Sequence, residues 1–409
     1  SATASGWATV SSATVTGAAV ATEALVVGVC GDPTGGIATI AGTGVSGYNG
    51  DGIAAATAQL KGPAYVAYDA AGNLYIAEYS GHRIRKVSAA TGLISTVAGT
   101  GVGGYNGDGI SAVTAQINTP TAVALDAPGN LYIAEASQRV RKVSAATGLI
   151  STVAGNGTGG YNGDGIAATA AWVWNPYGLA VDPAGNLHIS DNGNHRIRKI
   201  SAATGLISTV AGTGSAGYNG DGIAAATATL TGPAGIVFDG AGALYIADQG
   251  NYRVRKVNAA TGLIATVAGT GAAGYNGDGI AATTAQLTLP TGIGLNGSGV
   301  LFFTDWGNNR LRTVDAATGL IRTVAGTGAA GFNGDGLPAA ATQLSSPNGI
   351  AFDAQCRLTV GDYGNQRVRR IALLPLAAWA AAVPSPATGG QLVQLRLTVS
   401  VTGGESVNS

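Results

Sequence analysis

The 409-residue sequence contains no methionine, only two cysteines and three histidines, and few charged residues. Charged side chains make up 10% of the chain, against about 25% in an average soluble protein. The 21 basic residues balance 21 acidic ones, so the chain has no net field to attract nucleic acid, and we expect no nucleic-acid partner. Two cysteines also exclude a cysteine-based zinc cluster and a dense disulfide framework.

Long apolar runs are absent as well. The longest covers residues 371–383, contains Pro375 and has 13 residues, whereas a membrane-spanning helix needs about 20. We therefore expect no membrane span. The lack of methionine, even at position 1, leaves two interpretations open: an N-terminus processed by removal of a signal peptide, or a piece of a longer protein.

Small and apolar residues are abundant instead, and they recur. Glycine contributes 67 residues and hydrophobic residues 46% of the chain, enough for a large buried core. An Asn-Gly-Asp-Gly loop recurs at spacings of 57, 56, 57, 57 and 57 residues. Such a strict period indicates a repeat architecture. The six aspartates of these loops are Asp51, Asp108, Asp164, Asp221, Asp278 and Asp335.

Each repeat contains four short β-type runs separated by turn residues, which we name a, b, c and d. In the first repeat they cover residues 65–69, 74–78, 83–87 and 93–98. The turns between a and b and between c and d suit hairpins, so each repeat predicts a four-stranded antiparallel sheet. In the long d-to-a connection, residues 53–60 have apolar residues at helical spacing, enough for one or two helical turns.

The two ends of the repeat region predict that the sheets close into a ring. Runs a, b and c each occur six times, and the last set ends at Ile371 without a run d. The segment Ile37–Gly42 matches run d of the first repeat and has no a, b and c before it. We expect this N-terminal strand to complete the sixth sheet at its outer edge, since an open stack would leave both fragments unpaired.

Two stretches of the repeats carry a family resemblance. The run Gly72-Asn-Leu-Tyr-Ile-Ala-Glu78 precedes His82-Arg-Ile-Arg-Lys-Val87, and Gly185-Asn-Leu-His-Ile-Ser-Asp191 precedes Asn194-His-Arg-Ile-Arg-Lys-Ile200. These runs resemble NHL repeats, the blade unit of six-bladed β-propellers. The resemblance covers residues 37–371 and implies an all-β, six-bladed propeller. It says little about function, because the family includes adhesion domains, RNA-binding proteins, sensor domains and a lyase.

Most charged residues belong to the repeat. Of the 21 basic residues, 17 lie in the c runs, and acidic residues recur in the loops and at the ends of runs a and b. Glu78 and Arg83 face each other across one hairpin, which predicts ion pairing within blades. For the loop aspartates we expect turn capping, because each loop supplies one carboxylate and calcium needs several ligands. A ring of arginines that binds an anion is the alternative for the c runs.

The histidines give little support to catalysis. His82 and His195 occupy equivalent loop positions in two repeats, and His188 replaces a repeated tyrosine. Because they do not converge, the zinc site of the family's amidating lyase is not expected, and no isolated Ser, His and Asp set indicates a hydrolase. We therefore expect a non-enzymatic protein with no catalytic residues, no cofactor and no metal site.

Aromatic residues break the repeat symmetry. In a propeller the b-to-c and d-to-a loops emerge on one face, which here combines large aromatic rings with amide side chains and little net charge. This composition is typical of a platform for a protein or a carbohydrate, with packing against neighbouring loops as the simpler interpretation. The predicted contact residues are Trp172, Trp174, Tyr177, Tyr252, Trp306 and Tyr363.

The termini lie outside the repeat. We expect residues 1–36 to form a β-rich N-terminal arm, and residues 372–409 to form a Pro/Ala linker followed by an amphipathic strand, for which the ring has no vacancy. This strand is expected to pair either with the N-terminal arm or with a sheet edge on another molecule. Its apolar face consists of Val393, Leu395, Leu397, Val399 and Val401.

Several features favour an oxidising, extracellular or cell-surface location. Cys30 and Cys356 are expected on one face of the sixth blade, where a disulfide would secure ring closure. Asn156 and Asn296 lie in glycosylation sequons. We expect a structural or adhesive propeller that assembles with itself or another extracellular protein as a fibre or surface layer. The alternative is a ligand-recognition propeller, for carbohydrate or protein, or a catalytic one that uses the aromatic loop face.

Overall fold

The computed structural model describes residues 35–372, which form six antiparallel sheets around a central channel. Strand a of each sheet is innermost and contacts strand a of the next sheet, and strand a of the sixth contacts that of the first. The sheets are therefore the blades of a closed, all-β six-bladed propeller, as the repeats predict. None of the described helices is long and apolar enough to cross a membrane.

The inner strands of the six blades share the same positions in the repeat. Strand a covers Pro63–Tyr68, Pro120–Leu125, Pro176–Val181, Pro233–Phe238, Pro290–Leu295 and Pro347–Phe352. Strand b covers Leu74–Glu78, Leu131–Glu135, Leu187–Asp191, Leu244–Asp248, Leu301–Asp305 and Leu358–Asp362. Strand c covers Arg83–Val87, Arg139–Val143, Arg196–Ile200, Arg253–Val257, Arg310–Val314 and Arg367–Ile371.

The outer elements include a fifth strand, e, that the sequence did not predict. Strand d covers Ile37–Ala41, Leu93–Ala98, Leu149–Ala154, Leu206–Ala211, Leu263–Ala268 and Leu320–Ala325. Strand e covers Ile53–Ala54, Ile110–Ser111, Ile166–Ala167, Ile223–Ala224 and Ile280–Ala281. Short 3₁₀ helices follow at Ala55–Thr57, Ala112–Thr114, Ala168–Ala170, Ala225–Thr227, Ala282–Thr284 and Ala339–Ala341. Others join strands b and c at Asn192–Asn194, Gln249–Asn251, Trp306–Asn308 and Tyr363–Asn365.

The fifth strand exists because the d-to-a connection folds back on the outer edge of its own blade. In blade 1, Ile53 pairs with Ile94 of strand d. The amide side chain of Asn49 secures the following turn, since it donates to Thr57 O and accepts from the Gln59 N–H. Apolar residues at helical spacing therefore mark a short strand and a single 3₁₀ turn.

The N-terminal strand closes the ring as predicted. Strand Ile37–Ala41 pairs antiparallel with strand c of blade 6, with Ile37 opposite Ile371. Both isoleucines are fully buried, together with Leu358 of strand b. The last blade is thus built from both ends of the propeller, so the ring cannot open without exposing this apolar core.

A buried arginine ties each blade to its outer loop. In blade 1 the Arg85 side chain is fully buried, and its Nη2 lies 2.9 Å from Asp51 Oδ1. Its Nη1 lies 3.7 Å from Glu78 Oε2, a carboxylate that is also buried. Burial raises the pKa of Glu78 to about 7, against the opposing effect of Arg85. The ring of Tyr48 covers the guanidinium groups of Arg83 and Arg85 at 4.0 and 4.9 Å.

The same arrangement recurs in every blade. The buried arginine lies 2.8–2.9 Å from the loop aspartate and 3.4–3.8 Å from the acid that ends strand b. The expected pairing of Glu78 with Arg83 is corrected in one respect: their Cα atoms are partners in register, but the ion pair forms with Arg85. Arg83 instead donates to Thr100 O and Gly81 O. The six buried arginines are Arg85, Arg141, Arg198, Arg255, Arg312 and Arg369.

Hydrogen bonds also latch neighbouring blades together. The last residue of the b-to-c loop has a left-handed backbone in every blade, and in four blades its side chain accepts a backbone N–H bond from the next blade. His82 Nδ1 accepts from Thr119 N–H and His195 Nδ1 from Gly232 N–H, both at 3.0 Å. Because these ring nitrogens act as acceptors, both imidazoles must be neutral. Asn309 and Gln366 make the equivalent bonds with amide oxygens.

Ring closure predicts that Ile37 of the N-terminal strand contributes as much to stability as Ile94, its counterpart in blade 1. Ile37→Ala and Ile94→Ala remove fully buried isoleucines from equivalent positions of strand d, so each should lower the free energy of unfolding by about 2–5 kcal/mol. Urea denaturation followed by circular dichroism measures both. A normal stability for Ile37→Ala beside a destabilised Ile94→Ala would contradict closure by the N-terminal strand.

The histidine latches predict a pH-dependent stability. Partial burial and nearby positive charges, Lys61 and Arg83 for His82 and Arg196 for His195, hold the pKa of both histidines below its usual range. Their contribution to stability is therefore complete above the unfolded pKa of about 6.5 and is lost as the pH falls through the lower folded pKa. The double variant His82→Gln, His195→Gln adopts the natural choice of Gln366 and should lose this dependence. As the pH is lowered from 8 to 5, we expect the unfolding free energy of the wild-type protein to fall relative to that of the variant. A difference between the two proteins that does not change with pH would refute the latch.

Candidate ligand-binding pocket

The loops between strands b and c begin with a residue that differs from blade to blade. It follows the buried acid that ends strand b, and its neighbours repeat closely, whereas the residue itself is aromatic, amide or small. These loops emerge on the same face as the d-to-a connections, which we call the upper face. The six variable residues are Tyr79, Ala136, Asn192, Gln249, Trp306 and Tyr363.

The innermost strands approach each other closely because of glycine. Two residues after its first proline, strand a has Gly178, Gly235, Gly292 or Gly349 in four blades. A Cβ atom at Gly235 would lie 2.5 Å from Thr291 O of the next blade, which is closer than side-chain atoms pack. Small residues here allow the six inner strands to converge around the channel.

Two tyrosines occupy this channel. Tyr65 of blade 1 is 6% exposed, and its hydroxyl lies 2.6 Å from the position that a Cβ at Gly235 of blade 4 would take. Tyr177 of blade 3 exchanges hydrogen bonds with Asn348 of blade 6, whose Nδ2 donates to the phenol oxygen at 2.9 Å. Each tyrosine therefore reaches the opposite blade. Strand a starts at the upper face, so Tyr177 lies above Tyr65.

Above the tyrosines, the upper face has a pocket of about 340 Å³. Its wall combines aromatic rings with uncharged polar groups, and Tyr79 and Tyr363 meet edge to face with ring centroids 6.2 Å apart. The Gln249 side chain donates to Thr291 Oγ1 at 2.9 Å, and its amide oxygen carries no described bond. The lining residues are Tyr79, Tyr177, Gln249, Leu289, Thr291, Trp306, Asn348 and Tyr363.

The lining of this pocket can bind but is poorly suited to proton transfer. It contains no Asp, Glu, His, Lys or Arg among the described residues. Burial raises the pKa of Tyr177 to about 12, so its phenol stays neutral at physiological pH and offers hydrogen bonds only. The pocket thus presents flat apolar surfaces and neutral hydrogen-bonding groups, which suit an uncharged polar ligand.

The structure brings together half of the predicted aromatic contact residues. Tyr177, Trp306 and Tyr363 line the pocket. Trp172 and Trp174 lie further out on the same face, and Trp174 is 51% exposed. Tyr252 occupies the left-handed position at the end of its loop, equivalent to that of His82.

Sequence reasoning missed five lining residues. Tyr79 and Gln249 begin b-to-c loops, Thr291 and Asn348 come from the start of strand a, and Leu289 immediately precedes strand a of blade 5. The signal for the first two is present in the sequence, since they are the variable members of an otherwise regular repeat. The others become visible only once the strand a residues that face the channel are known.

Other predicted sites have separate locations. Cys356 lies at the a-to-b turn of blade 6 and is disulfide-bonded, while Cys30 lies outside the described residues. Asn156 is exposed, so its glycosylation stays a prediction. Asn296 is 8% exposed, and its Oδ1 accepts from the N–H groups of Ser298 and Val300; this buried turn is a poor glycosylation acceptor. The predicted assembly strand, Val393 to Val401, also lies outside residues 35–372.

The histidines and loop aspartates have structural partners. His188 is buried on the opposite side of its blade, with Nε2 3.0 Å from Asp182 Oδ2 and its ring against Phe238. Asp51 Oδ1 accepts from Arg85 and from the Thr96 hydroxyl, and the other five loop aspartates make the same two contacts, with Thr39 of the N-terminal strand as the hydroxyl donor to Asp335. Within the described part of the chain, no group of three or more His, Cys, Asp and Glu side chains is placed to hold a metal ion.

Comparison with known proteins identifies the repeat. The NHL repeat model matches residues 174–200. The Arabidopsis thaliana chloroplastic protein SUPPRESSOR OF QUENCHING 1 is 31% identical over 333 residues, which are 78% of this chain and 31% of that protein. Human NHL repeat-containing protein 2 is 26% identical over 280 residues, which are 61% of this chain and 38% of that protein. The chain thus spans about a third of the length of these relatives.

A solved structure supports the same fold. An auxiliary nutrient binding protein from Bacteroides thetaiotaomicron superposes with a TM-score of 0.59 at 17% identity, over 82% of this chain and 76% of that one. At this identity the likeness concerns the fold alone. The repeat match, the NHL-containing relatives and the six closed blades together place this chain among the NHL-repeat β-propellers.

Proposed function

We propose that this propeller is a non-catalytic recognition protein that binds a small, uncharged, polar ligand in the pocket of the upper face, with carbohydrate as the ligand class. The observation that carries the proposal is the lining of that pocket. Tyr79, Trp306 and Tyr363 provide flat rings, and Gln249 and Asn348 provide amides. Aromatic faces pack against the C–H faces of a sugar ring, while amides bind its hydroxyl groups.

The pocket is a better candidate for a ligand-binding site than the outer surface of the blades. The buried arginines of the blades are engaged with acidic groups: Arg85 and each of its equivalents lie against two carboxylates. The exposed tyrosines of the outer loops, such as Tyr48, stack on arginine at 3.7–4.1 Å in five blades. Both features therefore serve the scaffold. The pocket is instead lined by side chains that vary between blades and that the repeated blade structure does not need.

A catalytic role has less support. The three histidines of the chain are placed as latches or buried against Asp182, away from the pocket lining. A hydrolase or lyase needs an acid, a base or a metal-activated group beside the ligand. The lining provides tyrosines and amides instead, so binding without turnover is the function that it fits.

A structural or adhesive role outside the cell stays a prediction. It depends on the terminal segments, including the strand predicted for Val393 to Val401, which lie outside residues 35–372. Such a role is compatible with ligand recognition, since a surface-anchored propeller can hold a glycan in its pocket while its termini assemble.

Removal of the pocket's indole ring tests the proposal. Trp306→Ala should weaken binding of the best ligand from a panel of neutral mono- and oligosaccharides by about tenfold, the loss expected when roughly 1.4 kcal/mol of contact disappears. Isothermal titration calorimetry measures the affinity. Trp174→Ala is the matched control, because Trp174 is exposed on the same face but does not line the pocket. Equal losses in both variants, or no saccharide bound by the wild-type protein, would refute the proposal.

A further inference from the structure

One residue of the channel departs from the repeat in size. At the second position after the first proline of strand a, four blades have glycine and blade 2 has Ala122, whereas blade 1 has Tyr65. The channel is narrow at this level because the small residues of the other five blades allow the inner strands to lie close together. A tyrosine at this level therefore has to use the shared space of several blades.

The contacts of Tyr65 show that it fills the channel. Its ring packs beside Gly349 of blade 6, where an added Cβ would lie 2.6 Å from Tyr65 Cγ. Its hydroxyl reaches Gly235 of blade 4, at 2.6 Å from the corresponding Cβ position. The side chain thus extends from blade 1 to the far side of the ring, with 6% of its surface exposed.

Tyr177 adds a second layer immediately above. It also crosses the channel, and it is held by Asn348 of blade 6. The two phenols are close enough for Tyr177 to contribute to the raised pKa of Tyr65, after the larger effect of burial. The floor of the pocket therefore consists of two tyrosine side chains from different blades, which cross the channel one above the other.

We propose that this floor makes the pocket selective for the end of a linear neutral glycan, with Tyr65 and Tyr177 as the residues that determine this specificity. The inference rests on the function proposed above. A channel closed by two rings admits no chain through the ring of blades, so a ligand enters only from the upper face. The pocket volume of about 340 Å³ is near the lower limit of about 300 Å³ for small-molecule pockets, which leaves room for a terminal portion.

Chain-end selectivity can be measured without any mutation. The probe is the tightest-binding linear trisaccharide from a panel of gluco-, manno- and N-acetylglucosamine oligomers, prepared uncapped, capped with a bulky group at either end, and capped at both. One single cap should be tolerated, while the other single cap and the double cap should each weaken binding at least about tenfold. Equal affinity for the uncapped and doubly capped forms would overturn chain-end selectivity while leaving the proposed function intact. Absence of binding by every saccharide would overturn both.

The role of the two tyrosines needs a pair of double variants. Tyr65→Phe with Tyr177→Phe keeps both rings and therefore keeps the channel closed. The hexasaccharide should then bind no more tightly than the trisaccharide of the same series, even if loss of the hydroxyl groups lowers the affinity for both. Tyr65→Ala with Tyr177→Ala opens the channel, and the hexasaccharide should then bind about fivefold or more tighter than the trisaccharide, as additional rings find contacts. Thermal unfolding by circular dichroism verifies that both variants fold. An Ala pair that folds and shows no length dependence would overturn the role of the tyrosines, and if it does not fold, the capped trisaccharides still decide the proposal.

Discussion

The ion pair between a buried arginine and two carboxylates is the interaction on which the blades depend. Arg85 joins strand c to the acid that ends strand b and to the aspartate of the outer loop. A buried arginine without its partners would be strongly destabilising. The loop sequence, the tyrosine that covers the guanidinium group and the acidic strand end therefore recur together in the repeat. This shared requirement explains why most of the charged residues recur with the repeat and why the chain needs few others.

The scaffold also determines where a ligand can bind. Because charge and aromatic groups of the outer loops serve the blade, they leave little unused binding capacity there. The inner strands converge through small residues, and the space that they leave is filled by Tyr65 and Tyr177. The result is a pocket that opens at the upper face and is closed at its base, rather than a channel through the ring of blades. Its wall comes from loop positions that the blade does not constrain, such as Trp306 and Tyr363.

Much of the fold was predictable from the sequence because the repeat reports its own pairing. The strand positions and the closure of blade 6 by Ile37–Ala41 followed from the period and from the unmatched ends. The partner of Glu78 did not, because two arginines lie on the same face of strand c and only packing decides between them. The fifth strand was hidden for a similar reason: a two-residue strand has no periodicity to detect.

The pocket was predictable only in part. Trp306 and Tyr363 stood out as aromatic residues in loops, but Trp174 stood out equally and lies outside the pocket lining. Distance from the channel axis separates them, and a repeat pattern does not encode that distance. Asn348 was missed because an amide at the start of a buried strand looks like any other strand residue. Its role depends on Tyr177, 171 residues away in sequence.

The central claim is that the variable residues at the mouth of the channel form one binding site for a neutral ligand. A crystal structure of the protein with its best-binding neutral saccharide tests this most directly. The account predicts ordered sugar density against Trp306 and Tyr363, with hydroxyl groups at hydrogen-bond distance from Gln249 or Asn348 and nothing below Tyr177. Density at Trp172 and Trp174, or elsewhere on the blades, with the pocket empty would contradict it.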